Sequence, residues 1–250
     1  MVRLARLRVR LLSAPMLIPP VETAWSPEEG ATAAEAVVEF AGRLEAGSLE
    51  HPRPRTRGTG AYVRHLQEVA RWDLMAHAIA TVHIAGLSRG CADIVACRRD
   101  LTVTRAAPPV SAEGAEVVIP LAIERDETLR GLFLRTVDEA CFAYEQVVDG
   151  LEENEPQLHD AVWAARQARQ AAHAVVPAAV ATSLVVTASM QAWRSVILGF
   201  GAEHADAERR SLAVALLDAL RPVAPALLID VEEVPVTGGT PAVESAYGMD

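Results

Sequence analysis

The sequence predicts an α+β fold with a helix-rich second half, and three observations carry that expectation. Leu129, Leu132, Leu134, Val137, Cys141, Tyr144 and Val148 recur at helical spacing over residues 128–152. Short runs rich in Val, Ile and Leu, bounded by Gly, Pro or Ser, read as strands over residues 7–13, 73–86 and 183–187. The chain is 51% apolar but only 4% aromatic, so its core must be built from Ala, Val and Leu, which suit closely packed helices. Its 250 residues are enough for one domain, expected over residues 1–236, with a flexible tail over 237–250.

The elements follow in order. The first strand, 7–13, succeeds a start punctuated by Arg3, Arg6, Arg8 and Arg10. Residues 51–59 (HPRPRTRGT) form a Pro/Arg/Gly loop that leads into a helix over 60–71. Gly86 ends the strand over 73–86, and Ser88 is placed to N-cap a helix reaching Arg98. Residues 102–120 read as irregular, because Pro108-Pro109 and Gly114 interrupt them. The helix over 128–152 closes at Asp149-Gly150, and an Ala-rich helix over 159–175 stops at Pro177. The strand over 183–187 precedes a helix over 191–198. Helices over 204–220 and 223–228 make a pair, and 229–236 reads as the last strand.

Composition excludes several function classes. A formal net charge of −10 argues against a nucleic-acid surface. The chain has no lysine, which removes Schiff-base and Ser-Lys chemistry and leaves arginine as the strong anion ligand. Cys91, Cys97 and Cys141 are too few and scattered for a disulfide framework or zinc site, and fit reduced thiols in a cytoplasm. The arginine-rich start is broken by Pro15, Pro19 and Pro20, so it does not read as a signal peptide. Residues 171–193 lack full charges, but Pro177 and four hydroxyl side chains argue against a membrane span. No phosphate-binding loop, dinucleotide fingerprint, zinc-protease motif or nucleophile elbow occurs.

Five segments, in order and at matching spacing, resemble the flavin-dependent thymidylate synthases. They are Tyr62-Val63-Arg64-His65; residues 77–89, ending Gly86-Leu87-Ser88-Arg89; residues 166–177 (RQARQAAHAVVP); residues 185–194, ending Ala192-Trp193-Arg194; and Glu203-His204-Ala205-Asp206. The resemblance covers nearly the whole chain. It implies a subunit with a twisted central sheet and packed helices, assembled as a homotetramer that binds FAD and deoxyuridylate at shared sites. There reduced flavin relays a methylene from methylenetetrahydrofolate to the pyrimidine.

The sequence departs from the family's signature, Arg-His-Arg, seven residues, then Ser. It has Ala96-Cys97-Arg98, seven residues, then Ala106. The family's His-x-Ser-x-x-Glu-His becomes Arg71-x-Asp73-x-x-Ala76-His77. A nucleotide-binding Arg falls at His173, an Asn at Ala178, a flavin-side His at Ser195 and an essential Arg at Phe200. The family's Arg after the signature Ser falls at Pro108, and Pro108-Pro109 removes two N–H donors. Each charge-assisted hydrogen bond contributes about 1.5–3 kcal/mol, so these losses weaken nucleotide and flavin binding. The expected function is therefore an oligomeric binding or interaction module of this fold rather than a competent thymidylate synthase, self-associated or paired with an active paralogue. The alternative is a diverged flavin- or nucleotide-dependent enzyme that uses the same cleft.

The residual candidates for nucleotide or cofactor binding are Arg89, Arg98, Arg194 and His77. Each arginine equally reads as a partner of the excess carboxylates, and His77 as a hydrogen-bonded histidine in a partly buried strand. Arg99 and Arg105 are new charges in the signature loop. Cys97, flanked by arginines, reads as a nucleophile or an inert thiol. His204 and Glu208 stand four apart, a structural pair rather than a metal site. No catalytic residue and no metal ligand is assigned.

Overall fold

The computed structural model describes residues 2–107, 115–154, 161–237 and 239–248. In chain order the elements are β1 (Arg3–Leu4), β2 (Arg8–Ser13), α1 (Ala33–Glu45), α2 (Thr59–Glu68), β3 (Ile79–Ser88), α3 (Arg89–Ala96), β4 (Thr102–Arg105), β5 (Glu116–Val117), α4 (Leu121–Glu124), α5 (Glu127–Asn154), α6 (Ala161–Ala172), β6 (Ala181–Ser189), α7 (Met190–Gly201), α8 (Ala207–Leu220), β7 (Val231–Val234) and β8 (Ala242–Ser245). A four-stranded sheet has the order β2-β3-β6-β4. Helix and sheet are both present, as the α+β expectation requires.

Contacts divide the chain into two compact units. The first holds Met1–Arg8, Ile84–Cys97 and Thr104–Leu184. In it β1 runs parallel to β5, pairing Arg3 with Glu116 and Leu4 with Val117. The predicted face of α5 is the buried one. Val137 and Cys141 pack with Val117 and Val180, while Tyr144 and Val148 pack with Ala172 of α6. Burial pushes the Cys141 thiol upward in pKa, which leaves it inert. Ser88 caps α3 as its sequence position predicts, its Oγ accepting from the Cys91 N–H at 3.1 Å.

The second unit holds Val9–His83, Arg98–Val103 and Val185–Asp250. Its centre is α7 against α8, with Trp193 and Ile197 of α7 and Leu212, Leu216, Leu217 and Leu220 of α8 all buried. The Trp193 indole donates to the Ala80 carbonyl at 3.1 Å, fastening α7 to the start of β3. Asp206 caps α8, so His204 precedes the helix and does not share a helical face with Glu208.

Three sequence expectations are corrected here. The strand expected from 73 begins at Ile79, because residues Trp72–His77 form a 3-10 turn. Trp72 and Met75, three apart, fall on one side of that tight helix and are buried. The tail expected over 237–250 contains β8, antiparallel to β7, with Ala242 and Val243 buried. The irregular stretch contains β4 and β5, while Pro108, Pro109 and Gly114 lie outside the described residues. No helix among the described residues is long and apolar enough to cross a membrane.

Candidate functional site

The positions marked by the resemblance fall into two clusters, one in each unit. In the first unit Arg89 opens α3, and its backbone N–H donates to the Val180 carbonyl at 3.0 Å. Its guanidinium donates to the Val176 carbonyl at 3.0 Å and meets His173 Nδ1 at 3.2 Å. Arginine has no acceptor, so His173 must accept there, with its proton on Nε2. Burial, then the charges of Arg89 and Arg105, hold His173 below the ordinary histidine pKa. Arg105 closes onto Asp93, one turn along α3 from Arg89, at 2.5 Å. Thus His173, where the family carries an arginine, is a neutral acceptor for Arg89.

This arrangement fixes a pH dependence. The unfolded chain binds the His173 proton more readily than the folded one, so stability rises with pH toward about 6.5 and is fully present above it. An NMR titration of the His173 ring should give a midpoint below 6.5. A midpoint at or above that value would rule out the acceptor geometry.

In the second unit Arg98, the signature residue retained, donates to both oxygens of Asp100, Nε at 3.0 Å and Nη2 at 2.5 Å. Nη2 also donates to Ser195 Oγ at 3.1 Å. Arg98 and Ser195, both matched to family site positions, are therefore neighbours. Asp100, which sequence reasoning did not single out, takes the fork that would face a ligand. Its carboxyl is held below the usual range by the Arg98 hydrogen bonds, against the opposing effect of burial.

The exchanged motif upstream closes in the same way. Arg71 donates to both oxygens of Asp73 at 2.9 Å and to Glu45 at 2.6 Å. Those hydrogen bonds lower the Asp73 pKa and raise that of Arg71. Both pairs have the spacing Arg-x-Asp, a sequence signal that was available. His77 ends the 3-10 turn exposed, which corrects the partly buried strand histidine expected for it.

Arg194 is buried beside an internal counter-ion. It is 0% exposed and bidentate to Asp230, at 2.8 and 2.5 Å. It also donates to Ser245 Oγ at 2.6 Å and lies 4.8 Å over the Trp72 ring. Phe200 is buried, Cys97 is exposed at the C-cap of α3, and no group of metal-binding side chains occurs among the described residues.

The model of the family described as thymidylate synthase complementing protein matches residues 29–226. The chain is 39% identical to the flavin-dependent thymidylate synthase of Corynebacterium aurimucosum, across 99% of this chain and 100% of that one. The chain belongs to this family. It is also 38% identical to the flavin-dependent thymidylate synthase of Corynebacterium diphtheriae, over 98% of this chain and 97% of the relative. The Mycobacteroides abscessus enzyme of the same name is 36% identical over 96% of each chain.

Family membership implies a flavin, and the candidate residues can be tested against one. A flavin dinucleotide presents a pyrophosphate, which needs several free forks or N–H donors. Displacing Asp100 from half-exposed Arg98 costs about 0.5–1 kcal/mol, less than one charge-assisted bond to phosphate returns. Arg98 is thus recruitable. Arg194 is not, because freeing it strands a buried charge at about 3–5 kcal/mol.

Proposed function

We propose that this chain is a family member that does not make thymidylate. It serves instead as a binding or interaction subunit of the fold, self-assembled or joined to an active paralogue. The observation that carries the reading is the closure of Arg98 onto Asp100 and Ser195. The retained signature arginine is occupied by the chain's own carboxylate. The Arg71–Asp73 fork supports it, since those replacements satisfy one another rather than a ligand. Three free thiols suit a cytoplasmic location.

A second reading, a diverged nucleotide or flavin enzyme, is favoured by Arg89 and Arg105, which keep positive charge beside His173, a family nucleotide position. Two assays separate the readings. The purified protein should show no flavin absorbance after incubation with FAD and removal of the excess. Its gene should not restore growth of a thymidine auxotroph. A retained flavin band without rescue favours the diverged enzyme, and rescue overturns both readings.

A further inference from the structure

Helix α5 has an outer face that stands open on the first unit. Its core side is filled by Val137, Cys141, Tyr144 and Val148. On the opposite side Thr128, Leu132, Arg135, Glu139, Phe142 and Gln146 recur at alternating intervals of four and three. That spacing lines them up in one seam with the heptad period of a coiled coil. All six are exposed, Leu132 by 53% and Phe142 by 63%. Large apolar side chains this open, set along one helix face, mark an association surface.

The order of chemistry along the seam selects the occupant. It runs polar, apolar, basic, acidic, apolar, polar, and it is symmetric about residue 137. Leu132 and Phe142 lie five residues either side of that point, and Arg135 and Glu139 two either side. A second α5 laid antiparallel across a two-fold axis there sets Leu132 against Phe142 and Arg135 against Glu139, each contact made twice. Thr128 meets Gln146 at both ends of the same seam, which covers about 27 Å of helix. A parallel partner would put arginine on arginine and glutamate on glutamate, which is repulsive. A polar layer inside an apolar seam is also the feature that fixes register and direction in coiled coils, at some cost in stability.

Neither central charge is used within the chain. Arg135 and Glu139 have no ion-pair partner among the described residues, although they stand one turn apart on α5. Arginine before glutamate is the less favourable order for pairing along one helix. Beyond Glu139 the helix carries Glu145, Asp149, Glu152 and Glu153 and no further arginine. Antiparallel packing sends those acid-rich ends in opposite directions, so the two copies do not repel there. We propose, on the reading that the chain is an assembling subunit, that α5 pairs with α5 of a second copy as a short antiparallel coiled coil. Arg135 and Glu139 form its central ion pairs, and Leu132 and Phe142 its apolar layers.

Sedimentation equilibrium of the full chain should show self-association with a Kd of about 100 µM or tighter. Arg135→Glu and Glu139→Arg each turn the central pairs into like charges and should each weaken that association at least about tenfold. Both positions are exposed, so the circular dichroism of the variants should remain that of the wild type. Mixed in equal amounts, the two variants should associate again, because the acids of one meet the arginines of the other. A chain carrying both changes should associate with itself for the same reason. Single variants that stay apart on mixing would overturn the assignment. Assembly unchanged in both single variants would overturn it too, while leaving the subunit reading intact on another face. A wild-type chain that stays monomeric would remove this pairing and self-assembly together, and the flavin and growth assays would still decide whether thymidylate is made.

Discussion

Replacing Asp230 by Ala should cost about 3–5 kcal/mol of stability, among the largest effects of any single substitution in the second unit. Arg194 has 0% and Asp230 6% of its side chain exposed, so neither charge can fall back on water when the other is removed. Asp230 also receives Ser245 Oγ at 2.5 Å and Gln67 Nε2 at 3.2 Å, so its loss frees donors from α2, α7 and β8 together. Arg194 has little reserve, because its Nε already lacks a partner among the described residues. The informative comparison is a cycle. Asp230→Leu with Arg194→Met should be more stable than either single change, since it buries no orphan charge. Urea denaturation measures the four proteins of the cycle and Asp230→Ala, and a cost under about 1 kcal/mol for Asp230→Ala would mean that the pair does not anchor β7 and β8.

The same pair sets an acid limit. Burial raises the Asp230 pKa, but the hydrogen bonds from Arg194 and Ser245 outweigh it and leave the group lowered. A lowered carboxylate contributes stability that is complete above its unfolded pKa of about 3.9 and is lost as pH falls toward the folded value. Asp230→Asn should therefore flatten that acid loss while leaving Arg194 uncompensated.

Legibility from sequence followed the residues that face the core. Helix α5 was readable because its buried positions are apolar at one period, and α3 because Ser88 caps it in sequence as in space. Helix α1 was not read, because its buried face carries Glu35, Glu39 and Arg43, which hide the helical period. Its signal was instead Thr32-x-x-Glu35, a capping box that forms with hydrogen bonds of 3.3 and 3.0 Å. At the site, sequence located the arginines but not their partners. Arg98 and Arg194 look alike in one dimension. Only packing distinguishes a half-exposed residue forked by Asp100, two positions away, from a buried one matched by Asp230 across 36.

Gly86 offers the second large effect, and it tests the backbone on which Arg89 stands. It adopts a φ of +74°, and a Cβ there would lie 2.1 Å from the Arg6 carbonyl oxygen and 2.6 Å from its carbon. Both are backbone atoms, so no rotamer change relieves the contact. The left-handed conformation alone costs Ala about 1–2 kcal/mol, and moving the chain at Arg6 adds to that. Gly86→Ala should lose at least about 3 kcal/mol. Gly131, exposed within α5 with nothing near its would-be Cβ, supplies a control of opposite sign. Ala there should gain about 0.5–1 kcal/mol, because the helix no longer orders a glycine. Equal denaturation midpoints for the two variants would show that Gly86 is free to relax. The expected divergence would place the link between β1 and β2 tightly over the end of β3, three residues before Arg89.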